Sequence, residues 1–292
     1  MAPPAVYAVF GPTASGKSAV AEALADRLGT EVVSADALQV YRGLPILTNQ
    51  PQRPTRLVAI RGLDEEMSVG EFAGLAHAAV DELVAGHGAA VVAGGTGLYL
   101  RAAIAELAVP PAPGAATRAR WETAYDADPA AAYALLRDRD PAAAVLVHVN
   151  DRRRVVRALE LAEVGSSLAP SADRLWSAAT RLPTLVAGLE VPPTELERRI
   201  RARTTEMFAA GVADEVRRAL AGPISRTAEK ALGLRELAEL PEEEAFERIV
   251  VRTRRYAAYQ RKWLRRLPGA VLLDGTASAD EIVDAILDGT PA

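Results

Sequence analysis

Eight residues near the amino terminus have the types and spacing of a phosphate-binding loop. They match the Walker A pattern GxxxxGK[ST] and are Gly11, Pro12, Thr13, Ala14, Ser15, Gly16, Lys17 and Ser18. Glycines allow successive backbone amides to surround an anion, the lysine adds a positive charge, and the Ser18 hydroxyl can bind Mg²⁺. The alternative interpretation is an ordinary Gly-rich turn between a strand and a helix.

A phosphate-binding loop does not by itself specify a reaction. Nucleotide hydrolysis ordinarily needs an acid after a second strand, but the apolar run Ala89 to Ala93 leads into Gly94-Gly95-Thr96-Gly97-Leu98-Tyr99, which has no carboxylate. Asp36 is the acid that follows a candidate strand near the loop. It is therefore either a metal ligand or a general base, and the structural alternative is a helix-capping or turn aspartate.

The segments around these residues predict an α/β core. Ala5 to Phe10 reads as a strand before the loop, and Ala19 to Leu28 as a helix that Gly29 ends. Later apolar runs alternate with helical patterns such as Val69 to Ala85, so we expect a P-loop NTPase-like parallel sheet flanked by helices. Its further strands are expected at Glu31 to Ser34, Leu57 to Ile60, Ala89 to Ala93 and Thr184 to Leu189, with Val271 to Leu273 as an edge strand.

The middle of the chain predicts a helical insertion domain. Pro110, Pro111 and Pro113 mark a boundary, and Ala115 to Leu161 has helical spacing without a strand-like run. We therefore expect a catalytic core at 1–110 and 182–292, with the insertion at 111–181. Helices are expected to complete the core, at Thr194 to Ala210, Val212 to Leu220, Thr227 to Leu240, a long segment ending near Leu267, and Ala279 to Leu287.

Composition restricts the class of protein. The chain has 292 residues, a formal net charge of -4 and no cysteine, which excludes disulfides and thiolate metal sites. No apolar run is long enough to span a bilayer, so we expect a cytoplasmic protein without a membrane partner. We also expect the protein to be monomeric.

Charge is distributed unevenly along the chain. Arg248 to Arg266 contains eight basic residues and no acidic one, which indicates a surface for a polyanion. Within it Ile249, Tyr256 and Trp263 recur every seven residues, which predicts one buried stripe. The alternative is a solvated basic helix that pairs with the preceding glutamates.

Several of these segments, in this order, resemble the tRNA dimethylallyltransferases. The resemblance rests on the phosphate loop, on Ser34-Ala35-Asp36-Ala37-Leu38-Gln39-Val40-Tyr41-Arg42-Gly43, on Gly94 to Tyr99 and on Asn150 to Glu160. Arg199 to Gly211 is similar to the family's R-I-x-x-R-x-x-x-M helix, and Arg255-Tyr256-Ala257 with Gln260 and Trp263 is similar to its last basic helix. The resemblance covers nearly the whole chain.

The resemblance implies transfer of a dimethylallyl group from dimethylallyl diphosphate to the N6 amine of an adenosine in the tRNA anticodon loop. The phosphate loop would hold the diphosphate, Mg²⁺ would lie near Ser18, and Arg203 would reach the same phosphates. Asp36 would be the base, assisted by Thr96, with Lys17 and Arg203 as the other catalytic residues. Tyr41 and Arg42 would line the base pocket. The implied tRNA contacts are Asp36, Ala37, Leu38, Gln39, Thr96, Arg118, Arg153, Arg154 and Arg157.

Three departures from the family pattern concern the acceptor more than the donor. Gln50 replaces a common lysine, Leu234 a common tyrosine, and Tyr259 a common arginine. The Thr48-Asn49 pair is similar to adenylate isopentenyltransferases, which accept free adenine nucleotides. The alternatives are therefore such an enzyme, a nucleotide or small-molecule kinase, and a nucleic-acid-binding module with a vestigial loop.

Overall fold

The structure, a computed structural model, describes residues 3–107, 114–169 and 175–288. The chain divides into two compact units, one of residues 1–106 with 175–292 and one of residues 107–174. The predicted boundary at 111 and the prolines that indicated it, Pro110, Pro111 and Pro113, lie outside the described residues. No described helix combines the length and the apolar character that crossing a bilayer requires.

The second boundary falls at 174 rather than at the expected 181. The buried Arg101 guanidinium donates hydrogen bonds to the carbonyl oxygens of Leu175, Ser177 and Ala179. Arg181 in turn forms ion pairs with Asp81 and Glu106, which also belong to the first unit. These contacts attach residues 175–181 to the core rather than to the insertion.

The first unit is built on a five-stranded sheet in which every neighbouring pair is parallel. Its strands are β1 (Val6–Phe10), β2 (Val32–Ser34), β3 (Ala90–Gly94), β4 (Thr184–Glu190) and β5 (Ala270–Asp274), in the order β2-β3-β1-β4-β5. Strand β1 is buried along its whole length, as a strand covered on both faces must be. The predicted P-loop-like parallel sheet flanked by helices is confirmed.

Helices cover the sheet and form the second unit. In chain order they are α1 (Lys17–Leu28), α2 (Val69–His87), α3 (Gly97–Ile104), α4 (Ala115–Ala127), α5 (Pro129–Arg139), α6 (Pro141–Leu146), α7 (Arg152–Glu163), α8 (Pro193–Ala209), α9 (Val212–Ala219), α10 (Leu234–Glu239), α11 (Glu242–Leu264) and α12 (Ala279–Asp288). On one face of the sheet, Val20 and Leu24 of α1 pack with Ile282 of α12 against Val9 and Val91. At the carboxyl end of β1, α8 and α11 supply the side chains that are described below.

Two expected elements are wrong. Leu57 to Ile60 is not a strand, because Leu57 and Ala59 have φ values of 64° and 53°, which an extended chain cannot contain. Only isolated bridges occur beside it, at Arg56 and Arg61. The segment 227–240 is not one helix either. A 3₁₀ turn at Ala228–Lys230 is separated from α10 by Gly233, whose φ of 102° interrupts helical geometry.

The second unit is a cluster of four helices, α4 to α7, among the described residues. Asp128, Asp140 and Asp151 each cap the helix that follows by accepting backbone N–H bonds, and proline starts α5 and α6. Inside the unit, Glu160 is fully buried and pairs with Arg118 at 2.6 Å and with Arg157 at 3.4 Å.

We expect Glu160→Gln to destabilise the second unit, because the two arginines lose the countercharge that the buried carboxylate supplies. The loss should be about 2 kcal/mol, less than for a fully buried pair since both arginines are partly exposed. Asp126→Asn is the matched control, because Asp126 pairs with Arg152 at the surface and exposed pairs contribute at most about 1 kcal/mol. Urea unfolding of the full chain measures both, and equal effects would contradict the prediction.

Candidate active site

The candidate functional residues meet at one edge of the sheet. Because the strands are parallel, the carboxyl ends of β1, β2 and β3 lie together, which is where ligands bind in open α/β sheets. One cavity opens there. Its polar lining comes from the phosphate loop, the end of β2, α8 and α11, and includes Thr13, Lys17, Ser18, Asp36, Arg203 and Gln260.

The phosphate loop has the backbone conformation of an anion cradle. Ala14 and Gly16 have φ values of 63° and 91°, and the amide of Ser15 donates to the Pro12 carbonyl at 3.1 Å. The loop leads directly into α1, which begins at Lys17. Left-handed residues in such a turn direct backbone N–H groups inward, and the positive end of the helix dipole points the same way.

Two buried polar atoms at this site, one in the loop and one on α8, have no hydrogen-bond partner among the described residues. Ser15 Oγ and Arg203 Nε are buried without a hydrogen bond to any described residue, although Arg203 Nη1 donates to Thr13 Oγ1 at 2.8 Å. Burial lowers the pKa of Lys17 to about 8; the charge of Asp36 opposes this shift and that of Arg203 adds to it. Burial likewise lowers the pKa of Arg203. Unpaired buried donors and desolvated cations are stabilised by an anion, so the cradle fits a phosphate or diphosphate group.

Asp36 lies where the sequence placed it, after β2, and lines the same cavity as Lys17 and Arg203. Its Oδ1 accepts the Leu38 amide at 2.9 Å. One oxygen of this carboxylate therefore makes the bond expected of a turn aspartate, while the residue also lines the cavity. A carboxylate held in this way by a local backbone bond keeps a defined orientation toward its surroundings.

Thr96 is the N-cap residue of α3, but its side chain makes no capping bond and does not line the cavity. Its Oγ1 lies 3.4 Å from the Tyr256 hydroxyl, and Tyr256 does line the cavity. Burial and the charge of Asp36 raise the pKa of Tyr256 to about 12, so the phenol stays protonated. Thr96 thus contacts the site through Tyr256. The repeat of seven residues had predicted Tyr256 as part of a buried stripe instead.

The Gly94 to Gly97 segment packs too closely for side chains. A Cβ atom at Gly94 would lie 2.3 Å from the Ala35 carbonyl oxygen, and one at Gly95 would lie 2.3 Å from Gln260 Nε2. At Gly97 it would lie 2.2 Å from the Trp263 ring. The glycines therefore allow β2 and α11 to approach the end of β3.

Gln260 joins two of the motifs, a role that sequence reasoning missed. Its Oε1 accepts the Thr13 amide at 2.8 Å and its Nε2 donates to the Gly95 carbonyl at 2.8 Å. The side chain is only 2% exposed. Its spacing from the buried Ala257 and Leu264 was a usable signal, since a polar residue on the apolar face of a helix requires specific partners.

The remaining residues of the 34–43 segment have mixed positions. Leu38 and Gln39 line the cavity, whereas Ala37 is not part of its lining. Tyr41 is fully buried and its hydroxyl contacts Thr227 Oγ1 and the Met67 amide, so its expected place in the base pocket is wrong. Arg42 is exposed and pairs with Glu65, outside the cavity lining.

The four arginines of the second unit that the sequence predicts to contact tRNA fall into two classes. Arg118 and Arg157 are part-buried and pair with Glu160. Arg153 and Arg154 are exposed on α7, and their side chains make no ion pair with a described residue. Arg153 and Arg154 are therefore accessible for the predicted contact with tRNA, whereas Arg118 and Arg157 also have a structural role.

Comparisons with known proteins agree with this geometry. The family model described as IPP transferase matches residues 39–267, and a model described as isopentenyl transferase matches residues 4–58. A tRNA dimethylallyltransferase of Anaeromyxobacter sp. (strain Fw109-5) is 39% identical, with 96% of this chain and 98% of the relative covered. The chain belongs to the tRNA dimethylallyltransferase family.

Other relatives and solved structures extend the comparison. The tRNA dimethylallyltransferase of Kineococcus radiotolerans is 38% identical over 95% of this chain and 93% of its own. The full-length tRNA isopentenylpyrophosphate transferase of Bacillus halodurans superposes with a TM-score of 0.70 at 28% identity, covering 98% of this chain and 95% of that one. A eukaryotic dimethylallyltransferase shares the fold, with a TM-score of 0.77 at 23% identity over 98% of this chain and 80% of that one.

We expect Gln260→Glu to weaken the site, because a carboxylate cannot donate to the Gly95 carbonyl and places a negative charge against it. Stability should fall by about 2 kcal/mol, and the affinity for inorganic diphosphate by about tenfold or more. Calorimetry and thermal unfolding measure the two effects. Gln52→Glu, at an exposed position, is the control and should change neither; unchanged diphosphate binding by the Gln260 variant would contradict the prediction.

Proposed function

We propose that this chain transfers a dimethylallyl group from dimethylallyl diphosphate to the N6 amine of an adenosine in the tRNA anticodon loop, next to the anticodon, with release of diphosphate. The observation that carries the proposal is the cavity in which the phosphate loop, Arg203 and Asp36 meet. The relatives named tRNA dimethylallyltransferase support the same activity. A cytoplasmic location and a monomeric state remain predictions from the sequence.

The cavity suits an allylic diphosphate because it has a charged part and an apolar part. Lys17, Ser18 and Arg203 lie at the phosphate loop, while Leu47, Met207 and Ile249 belong to the apolar lining. An allylic carbon–oxygen bond breaks readily because the allyl group delocalises positive charge. The main requirement is therefore to stabilise the departing diphosphate and to hold the acceptor amine in position, and preorganised cations and backbone amides do the former.

Mg²⁺ fits the donors at this site. Ser18 offers a hydroxyl at the start of α1, in the same cavity as Lys17 and Arg203, and a hydroxyl is a hard oxygen ligand. No cluster of three or more metal-ligating side chains occurs among the described residues, which agrees with an ion held chiefly by substrate phosphates and few protein groups. Bound there, the ion would neutralise part of the diphosphate charge.

Asp36 is the proposed base. The adenine N6 nitrogen forms a bond to C1 of the dimethylallyl group, the bond from C1 to the diphosphate oxygen breaks, and a proton leaves N6 for the Asp36 carboxylate. The neutral Tyr256 hydroxyl, next to Thr96, can orient the adenine by a hydrogen bond. A positioned base and a held leaving group together account for the transfer.

The two leading candidate enzymes differ in the acceptor of the dimethylallyl group, which is tRNA for one and a free nucleotide for the other. The second unit has exposed arginines on α7, and the first unit has exposed arginines on α11. Each set is available to a phosphate backbone, a contact that a free-nucleotide enzyme needs less. Thr48 and Asn49, which are similar to those of adenylate isopentenyltransferases, lie in the cavity lining and favour that enzyme as the second candidate.

Labelled dimethylallyl diphosphate tests the proposal directly. The protein is incubated with the label and with unmodified tRNA, AMP or ATP in parallel. We expect label on the tRNA at an adenosine next to the anticodon. Label on a nucleotide alone would support the second candidate, consumption of ATP alone would indicate a kinase, and binding without turnover would indicate a vestigial loop.

We expect Asp36→Asn to lower the rate of prenyl transfer by about 10²- to 10⁴-fold, the usual contribution of a positioned base. The amide oxygen of asparagine can still accept the Leu38 amide, so the loop and the fold should persist. Single-turnover kinetics and thermal unfolding separate the two effects. Asp26→Asn, which removes an exposed partner of Arg53, is the control, and full activity of Asp36→Asn would remove the proposed base.

We expect the affinity for dimethylallyl diphosphate to fall as the pH rises through about 8. Lys17 of the free protein has a pKa lowered to about 8, so it loses its charge above that pH, and only the charged form attracts the diphosphate. As far as Lys17 is concerned, binding should be nearly independent of pH between 6.5 and 7.5. Above pH 8 it should weaken by up to about tenfold for each further pH unit. Lys17→Met should bind weakly and without this dependence; a wild-type profile that stays flat to pH 9.5 would contradict the assignment.

A further inference from the structure

A carboxylate on α9 is buried against a turn that lines the cavity. Glu215 is only 3% exposed. Its two oxygens accept the backbone amides of Ile46 and Leu47, each at 2.8 Å, although these residues are 169 and 168 positions away in sequence. A carboxylate is costly to bury unless its oxygens are bound, so this position of Glu215 depends on both amides.

Residues 44–50, the 44–50 turn, begin like a short helical segment. The Thr48 amide donates to the Leu44 carbonyl at 3.0 Å, the spacing of an α-helical bond. The first amides of a helical segment have no partner within it, and here these include the amides of Ile46 and Leu47. Glu215 therefore acts as an N-terminal cap for the turn, although it belongs to a helix that is distant in sequence.

The other end of the 44–50 turn is bound to the segment that carries Asp36. Gln39 Nε2 donates to the Thr48 carbonyl at 3.3 Å and to the Asn49 carbonyl at 2.7 Å. Its Oε1 accepts the hydroxyl of Ser34, the last residue of β2, at 2.8 Å. The turn is thus held between α9 on one side and the segment of the proposed base on the other.

Two side chains of the turn reach the cavity beside Asp36. Thr48 and Asn49 line it together with Asp36 and Gln39. Asn49 has a φ of 52°, a left-handed conformation that asparagine adopts more readily than most residues. Its exposed side-chain amide has both a hydrogen-bond donor and an acceptor, the pair of groups that recognises an edge of adenine.

We propose that Glu215 is a positioning residue for the prenyl acceptor: it fixes the 44–50 turn so that the Asn49 side chain binds the adenine whose N6 amine faces Asp36. No hydrogen bond among the described residues joins this turn to the phosphate loop. The action of Glu215 is therefore on the acceptor rather than on the diphosphate. This inference rests on the proposed function.

The variant Glu215→Gln tests the inference, because its Nε2 is a donor and cannot accept the second amide of the turn. Prenyl transfer is measured with labelled dimethylallyl diphosphate and with an unmodified tRNA anticodon stem-loop or AMP as acceptor. We expect KM for the acceptor to rise by about tenfold, while the affinity for inorganic diphosphate, measured by calorimetry, stays at the wild-type value. Asp214→Asn, which alters an exposed carboxylate of the same helix, is the matched control and should change neither.

A double-mutant cycle separates positioning from a merely structural role. We expect Asn49→Ala to raise the same KM by about tenfold, and Glu215→Gln/Asn49→Ala to raise it no further, because Glu215 acts through this side chain. Effects that multiply would overturn the inference. If thermal unfolding shows that Glu215→Gln does not fold, Glu215→Asp replaces it under the same criteria, since it keeps the charge but is one methylene shorter.

The two acceptors distinguish failure of this inference from failure of the proposed function. If the wild type prenylates the stem-loop and Glu215→Gln keeps its KM, the inference is overturned and the proposed function stands. If the wild type prenylates AMP alone, the proposed function fails, and KM for AMP decides on Glu215. Equal losses of acceptor and diphosphate affinity in Glu215→Gln would also overturn the inference, and transfer to neither acceptor would overturn both.

Discussion

The site depends on how closely helix α11 approaches the ends of the central strands. That approach is possible because Gly95, Gly97 and Gly188 have no side chains: a Cβ atom at any of them would lie within 2.4 Å of a side-chain atom of α11. Gln260 then replaces water as the partner of the Thr13 amide and the Gly95 carbonyl. Buried polar groups that are satisfied by a single side chain specify one arrangement, so the same contact that closes the core also sets the position of the phosphate loop.

Electrostatic strain accompanies this arrangement. Lys17 and Arg203 lie near each other in a desolvated cradle. Burial lowers the pKa of each, and the negative charge of Asp36 opposes both shifts. Ser15 Oγ and Arg203 Nε add two buried polar atoms that have no partner in the described part of the chain. A bound diphosphate would satisfy these groups together, whereas a neutral ligand would satisfy none of the charges. The free protein is therefore organised in advance for an anion, and little reorganisation is required when negative charge develops on a leaving group.

Local patterns predicted the parts of the fold that depend on local chemistry. The phosphate loop, α1 with its Gly29 end, and the strands on either side follow from motif and periodicity, and the structure has each of them. Other predictions failed where apolar or polar character alone did not determine the structure. Leu57 to Ile60 is apolar like a strand, but left-handed residues prevent it from joining the sheet. Tyr41 has the polar tip of a pocket residue, but Thr227, far along the chain, binds its hydroxyl in the core.

The candidate site shows the same division. Asp36 and the loop could be placed from sequence because each follows a strand of a parallel sheet, and such strands end at one edge. The partners of Gln260 and Tyr256 could not be placed in this way, since they depend on the rotation of α11 against the sheet. A repeat of seven residues placed Tyr256 in a buried stripe with Ile249 and Trp263, yet Ile249 is buried, Trp263 is part-exposed and Tyr256 faces the cavity. A period identifies a helical face but not the partner against which that face packs.

The three departures from the family pattern lie in different environments, which decides what each can affect. Gln50 donates to the carbonyls of Gln39 and Tyr41, so the position that loses a cation gains backbone contacts that hold the loop. Leu234 is buried in an apolar cluster with Leu44 and Leu47, where a tyrosine would need a partner for its hydroxyl. Tyr259 alone among the three is exposed to solvent. Substitutions inside the protein are absorbed by packing, whereas a ring in place of a cation on the surface removes a positive charge that a phosphate could contact.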